Sequence, residues 1–139
     1  DLASGTNVSA ELYKEDMYME FKDLQHYPIL FVSALTKRRV SNILEIAWEI
    51  FTKQRDKLST KELNVWIEKA VRNYPPPATQ GKSIKIKFVE QVQQSPPIFA
   101  LFSNYPKLIS IQYLRYLHNQ LRESFDLKGI TIKFSLRKS

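Results

Sequence analysis

"GKSIKIKFVEQVQQSPPIFALF", residues 81–102, decides the fold class. Its first half alternates, with Ile84, Ile86 and Phe88 to one side and Lys85 and Lys87 to the other, which is the period of a half-buried strand. Its second half is an apolar run entered through Pro96 and Pro97, and proline is tolerated at the first residues of a strand. On the amino side, Ser59 precedes Glu62 by three residues, the spacing of a capping box, and predicts a helix start. The core face of that helix reads Leu63, Trp66, Ile67, Ala70, Val71 and Tyr74, and Pro75–Pro77 ends it, because proline supplies no amide hydrogen and disfavours a helical residue before it. On the carboxyl side comes a loop, "SNYPKLIS", then a helix over about 111–125 with Leu114, Leu117, Leu121 and Phe125 on one face. A third strand, "GITIKFSLRK", turns Ile130, Ile132, Phe134 and Leu136 inward and Thr131, Lys133, Ser135 and Arg137 outward. Helix, strand, strand, helix, strand predicts a compact α+β unit over 59–139: a three-stranded sheet with both helices on one face.

Residues 1–58 follow a different pattern. Ser9 is placed to cap a helix over about 10–24, with Tyr13, Met17, Phe21 and Leu24 on one face. Pro28 breaks the chain, and Ile29–Val32 reads as a short buried strand running into Ser33, Ala34, Leu35 and the basic Lys37–Arg39. Val40, Ile43, Leu44, Ala47, Trp48 and Phe51 then form a wide helical stripe. One strand between two helices is a fragment of an α/β layer, whose partner strands must come from elsewhere.

Charge divides the chain at the same place. Residues 1–58 hold 8 Lys/Arg and 9 Asp/Glu, whereas 59–139 hold 13 and 5, so the net charge of +7 belongs to the second part. A neutral first part and a basic second part point to two units, the second facing a polyanion. The absence of cysteine excludes disulfides and thiolate zinc sites. The longest apolar runs, such as "PILFV", fall far short of the ~20 residues of a membrane span, and the acidic, polar start is unlike a signal peptide. The chain opens on Asp1 without methionine, so a piece of a longer protein is expected. His26 and His118 lie far apart with no carboxylate spacing of a metal site. No serine–histidine–carboxylate or paired-carboxylate pattern offers a catalytic group.

The order of elements over 59–139 matches KH-like RNA-binding modules of the second topological type. Together "YPILFVSALTKRRV", "STKELN", "PPP", "GKSIKIKFVEQV", "PPIFALFSNYPKL" and "YLRYLHNQLRESFDLKGITIKF" resemble the C-terminal part of the EngA/Der family, bacterial GTPases with two tandem G domains and a KH-like domain. The resemblance implies that 1–58 is the C-terminal fragment of the second G domain, an α/β P-loop fold, and that 59–139 is the KH-like domain. It further implies a cytoplasmic protein acting in assembly of the large (50S) ribosomal subunit, with ribosomal RNA and its own G domains as partners and no membrane. GTP and Mg2+ belong to the full-length protein. This chain has no G-x-x-x-x-G-K-[ST] loop, so it is expected to hold no cofactor and to be inactive in GTP hydrolysis alone.

By the same resemblance Ser33, Ala34 and Leu35 look like the last guanine-recognition motif, and Asp1 like the guanine-pairing carboxylate of a severed Asn-Lys-x-Asp motif. A small residue such as Ala34 lets a backbone N–H approach the base. The KH-like part lacks the G-x-x-G loop that clamps nucleotides in RNA-binding KH modules; the corresponding "LISIQ" at 108–112 has no glycine. RNA contact must then rest on side chains, and the candidates are Lys82, Lys85, Lys87, Arg115, Arg122, Lys133, Arg137 and Lys138. The alternative is a protein-interaction module that docks on the G domains and senses their nucleotide state without binding RNA.

Overall fold

In a computed structural model of the chain, which describes residues 6–139, two compact units divide after Thr52. The first holds helix α1 (Thr6–Glu20), a 3-10 turn (Lys22–His26) and most of helix α2 (Val40–Gln54). Ser9 therefore lies inside α1 rather than at its start; a serine is tolerated within a helix, so its preference for caps was a weak guide. The 10–24 helix instead ends at Glu20 and gives way to the 3-10 turn, with Phe21 at φ −115° between them. The strand expected at Ile29–Val32 is not formed. Those residues form no regular element and are half exposed, without a partner strand among the described residues. An isolated strand has nothing to satisfy its backbone groups, so apolar composition alone does not make one. The α2 stripe is helical as expected, yet Ile43, Leu44, Trp48 and Phe51 are all exposed, Trp48 by 63%.

The second unit, Lys53–Ser139, contains α3 (Thr60–Asn73), β1 (Ile86–Gln93), β2 (Ile98–Ser103), α4 (Ile111–Phe125) and β3 (Lys133–Lys138). The sheet order is β1-β2-β3, with β1 and β2 antiparallel and β3 parallel to β2. Ser59 sits at the N-cap of α3, although its side chain makes no capping bond. Ser110 does cap α4, accepting the Tyr113 N–H at 3.2 Å. Leu63, Trp66, Ile67 and Ala70 of α3 and Tyr113, Leu117 and Leu121 of α4 are buried against Val89, Phe99 and Leu101 of the sheet, with Ile130 and Ile132 closing the core from the approach to β3. Trp66 meets Phe125 edge to face, 6.4 Å between ring centroids. The described architecture is α+β, a three-stranded mixed sheet with α3 and α4 on one face.

Two tyrosines lock the helices together. Tyr113 donates its hydroxyl to the Tyr74 carbonyl at 2.8 Å, and Tyr116 donates to the Ala70 carbonyl at 2.8 Å. The Ala70 carbonyl also accepts the Tyr74 N–H at 3.1 Å, so the Tyr116 hydroxyl is its second donor, whereas the Tyr74 carbonyl lies past the helix end, where no further turn supplies a donor. Burial pushes the Tyr113 hydroxyl well above the ordinary tyrosine value, helped by the neighbouring Tyr116 and Tyr74, and burial raises Tyr116 as well.

The outer edge of β1 is covered by a side chain. The Asn64 amide of α3 donates to the Val89 carbonyl and accepts the Val89 N–H, both at 3.0 Å, imitating a neighbouring strand. Such covering blunts an edge that would otherwise pair with another chain. Replacing Asn64 by leucine leaves both Val89 groups without this partner and is expected to cost about 1–3 kcal/mol. Chemical denaturation measures the loss, and light scattering should show aggregation; unchanged stability would mean that the amide does not close the edge.

Candidate nucleic-acid interface

The face of the sheet opposite α3 and α4 is where the sequence places its outward cations, and the register of the strands decides which of them meet. Between Ile86 and Phe88 the β1–β2 register shifts: Ile86 opposes Ser103, whereas Phe88 opposes Phe102. An extra residue in one strand interrupts the two-residue alternation. Phe88, expected in the core, therefore turns to the open face and is 39% exposed, while Val89 is fully buried in its place. Lys87 moves the other way and lines a cavity of about 450 Å³ beside Asn64, Glu68 and Val71 of α3. Lys85 and Lys87 thus do not share a face.

Registers across all three strands put Phe88, Phe102 and Arg137 in one row. The two rings stack with centroids 4.1 Å apart and planes 14° from parallel, and the Arg137 guanidinium lies 5.9 Å from the Phe102 ring centroid. Lys133 stands four residues before Arg137 on the same face of β3, roughly 13 Å along the strand. At the far end of the sheet, Asn104 holds Lys85 in place. Its N–H donates to the Lys85 carbonyl, its side-chain oxygen accepts the Lys85 N–H at 2.8 Å, and its amide donates to the Ser83 carbonyl at 2.9 Å. Beside it, a tight turn bonds Thr79 to Lys82 in both directions, with Gln80 and Gly81 at φ 52° and 70°, a conformation that suits glycine. The Lys82 ammonium lies 4.9 Å from the Tyr105 ring centroid.

Of the eight cations read from the sequence, Lys85, Lys133 and Arg137 belong to the open face, and Lys82 to its Asn104 end. Lys138 pairs in register with Ser103, at positions of the opposite parity. Arg115 is exposed on α4, and Arg122 donates to the Ile130 carbonyl at 3.1 Å, holding the turn after α4. Tyr113 and Tyr116 serve the α3–α4 junction. The aromatic row itself was not legible, because no periodicity announces a bulge. Asn104 carried no sequence signal beyond its place at a strand end.

In the first unit, Ser33 Oγ accepts the Thr36 N–H at 3.2 Å, and the Ser33 N–H donates to the Arg38 carbonyl at 3.2 Å. This turn leaves Leu35 91% exposed and Ala34 uncovered, so a planar base could reach both. Asp1 lies outside the described residues. Among the described residues, no group of three or more His, Asp or Glu is placed to hold a metal ion, and no helix is long and apolar enough to cross a membrane.

An α+β unit with two helices on one side of a mixed three-stranded sheet, and cations on the other, defines a KH-like module without the glycine clamp. The family model described as KH-domain-like of EngA bacterial GTPase enzymes, C-terminal, matches residues 57–137, and the chain belongs to that family. It is also similar to proteins named GTPase Der. It is 39% identical to that of Amoebophilus asiaticus over 138 residues, which are 99% of this chain and 32% of the relative, and 43% identical to that of Fusobacterium nucleatum over 129 residues, 93% and 29% of the two. The chain spans about a third of the length of these curated relatives.

Proposed function

We propose that this chain is the RNA-facing C-terminal region of a GTP-binding protein that acts in the cytoplasm on assembly of the large ribosomal subunit. Residues 59–139 are its KH-like domain, and 1–58 are the end of its second G domain. GTP and Mg2+ would be bound by parts of the longer protein outside this chain, with Ser33, Ala34 and Leu35 lending at most a base contact. The relatives' name supports the GTPase part. The RNA part is carried by one observation: Lys85, Lys133 and Arg137 project from a sheet face whose strands contribute a single carboxylate, Glu90. The exposed α2 stripe suits a helix meant to pack on a sheet that this chain does not contain, as a G-domain fragment requires.

Salt titration of binding to large-subunit ribosomal RNA tests this reading. Each phosphate contact contributes roughly 0.7 to 0.9 to the slope of log affinity against log salt, through counterion release. The double variant Lys85→Gln/Lys133→Gln should weaken binding and flatten the slope by about 1.4 to 1.8. Lys87→Gln, which alters the α3 side instead, should leave the slope nearly unchanged. Exposed substitutions of this kind change stability by within about 0.5 kcal/mol, so the fold is retained. An unaltered slope in the double variant would remove this face from the RNA-binding surface and favour docking of the domain on a G domain.

A further inference from the structure

We infer that the open sheet face recognises unpaired nucleotides, by stacking a base against the row Phe88–Phe102–Arg137; this rests on the RNA-facing reading above. The row holds three planar groups: two rings stacked 4.1 Å apart at 14°, and a guanidinium 5.9 Å from the centroid of the second ring. Because β1 is the outer strand, Phe88 stands at the end of the stack and is 39% exposed. A ring left open at the end of a stack offers the next planar group a ready place. Lys85 and Lys133 flank the row towards its two ends, where a phosphate backbone leading to and from the stacked base would run.

The ligand must supply both a flat apolar face and negative charge. An RNA duplex supplies the charge but keeps its base faces inside the helix, and it is recognised by shape and backbone. A single strand supplies both, and base–aromatic stacking tolerates any sequence because every base has a π face. A protein partner covering Phe88 and Phe102 would have to place carboxylates opposite Arg137, Lys85 and Lys133, and would gain nothing from the planarity of the row. The site also differs in kind from a glycine-clamped KH groove, because it lies on the face opposite the helices and uses side chains alone.

The experiment compares fluorescein-labelled single-stranded (rA)12 with a blunt 12-base-pair RNA duplex at several salt concentrations. The chain should bind the single strand more tightly. Phe88→Leu should lose roughly ten-fold in affinity for (rA)12 with its salt slope unchanged, since no charge is removed. Phe88→Tyr, which keeps the ring, should bind as the parent does, and duplex binding should not respond to either change. Arg137→Lys on the exposed end of β3 keeps the charge and the fold while removing the plane, and should reduce (rA)12 affinity at constant slope. Thermal unfolding checks that each variant is folded, and if Phe88→Leu is not, Arg137→Lys decides. If these variants bind (rA)12 like the parent while Lys85→Gln/Lys133→Gln loses affinity, stacking is overturned and the RNA-facing reading stands. If the parent chain binds neither RNA at low salt, both fall.

Discussion

Truncating Phe99 to alanine should remove about 3–5 kcal/mol from the stability of the unit Lys53–Ser139. Phe99 is fully buried on the central strand, opposite Gln91 of β1 and Phe134 of β3, whose ring lies 6.4 Å away edge to face. Domains of this size hold only about 5–15 kcal/mol in total, and each kcal/mol is worth about 4–8 °C in Tm. A fall of at least about 12 °C is therefore expected in a thermal melt followed by circular dichroism. The informative partner is Phe102, three residues along the same strand but on the open face. Phe102→Ala loses its stack on Phe88 and the Arg137 contact, and should cost about 1–2 kcal/mol. Equal losses at the two positions would mean that the open face is as covered as the helix face, and the interface described above would not exist.

Replacing Tyr113 by phenylalanine removes the hydroxyl that reaches the Tyr74 carbonyl, at an expected cost of about 1–2 kcal/mol near neutral pH. The same hydroxyl gives an alkaline signature. Burial first, and then the neighbouring Tyr116 and Tyr74, raise its pKa in the native state above the ordinary value near 10. The native state therefore keeps this proton when the unfolded chain has lost it. The stabilisation is complete below about pH 10 and declines as pH rises past it. The difference between the parent and Tyr113→Phe should accordingly be largest at pH 8 and shrink by pH 11, as read by denaturant titration at both. A difference that grew with pH would reverse the assignment.

Much of the second unit was legible because its signals are local. The α3 and α4 stripes and the β3 alternation each come from spacing within one element, and most of their buried residues fall where spacing puts them; the exceptions are Tyr74, read as core yet 54% exposed, and α4, where Tyr113 rather than Leu114 is buried. The β1 alternation failed at Phe88 because register belongs to two strands: a shift between Ile86 and Phe88 reverses the side chains up to Gln91, and a second shift before Gln93 reverses them back. In the first unit the apolar residues of Ile29–Val32 and α2 were read as part of a layer whose partner strands lie elsewhere, and hydropathy does not say whether such cover lies in the same chain. For the site, lysine identity gave the charge and its sign. Which lysines share a surface depended on the bulge and on Asn104, and the aromatic row is a product of pairing that no single strand encodes.

The parallel placement of β3 beside β2 has a consequence for the order of manufacture. β1 and β2 can zip once Ser103 has emerged, since only Gln94–Pro97 separate them. The other side of β2 waits until residues 104–138 have been translated, roughly 2–7 s at ordinary elongation rates. Through that interval the backbone of Ile98–Ser103 is open to any strand that reaches it first. The outer margin of β1 is already bridged at Val89, because Asn64 is synthesised before the strand it pairs with. A released chain that ended within α4 would therefore present a half-built sheet, bridged at Val89 on one border and open along the other. Codon choice over 104–138 thus bears on yield in a way that the finished fold gives no hint of.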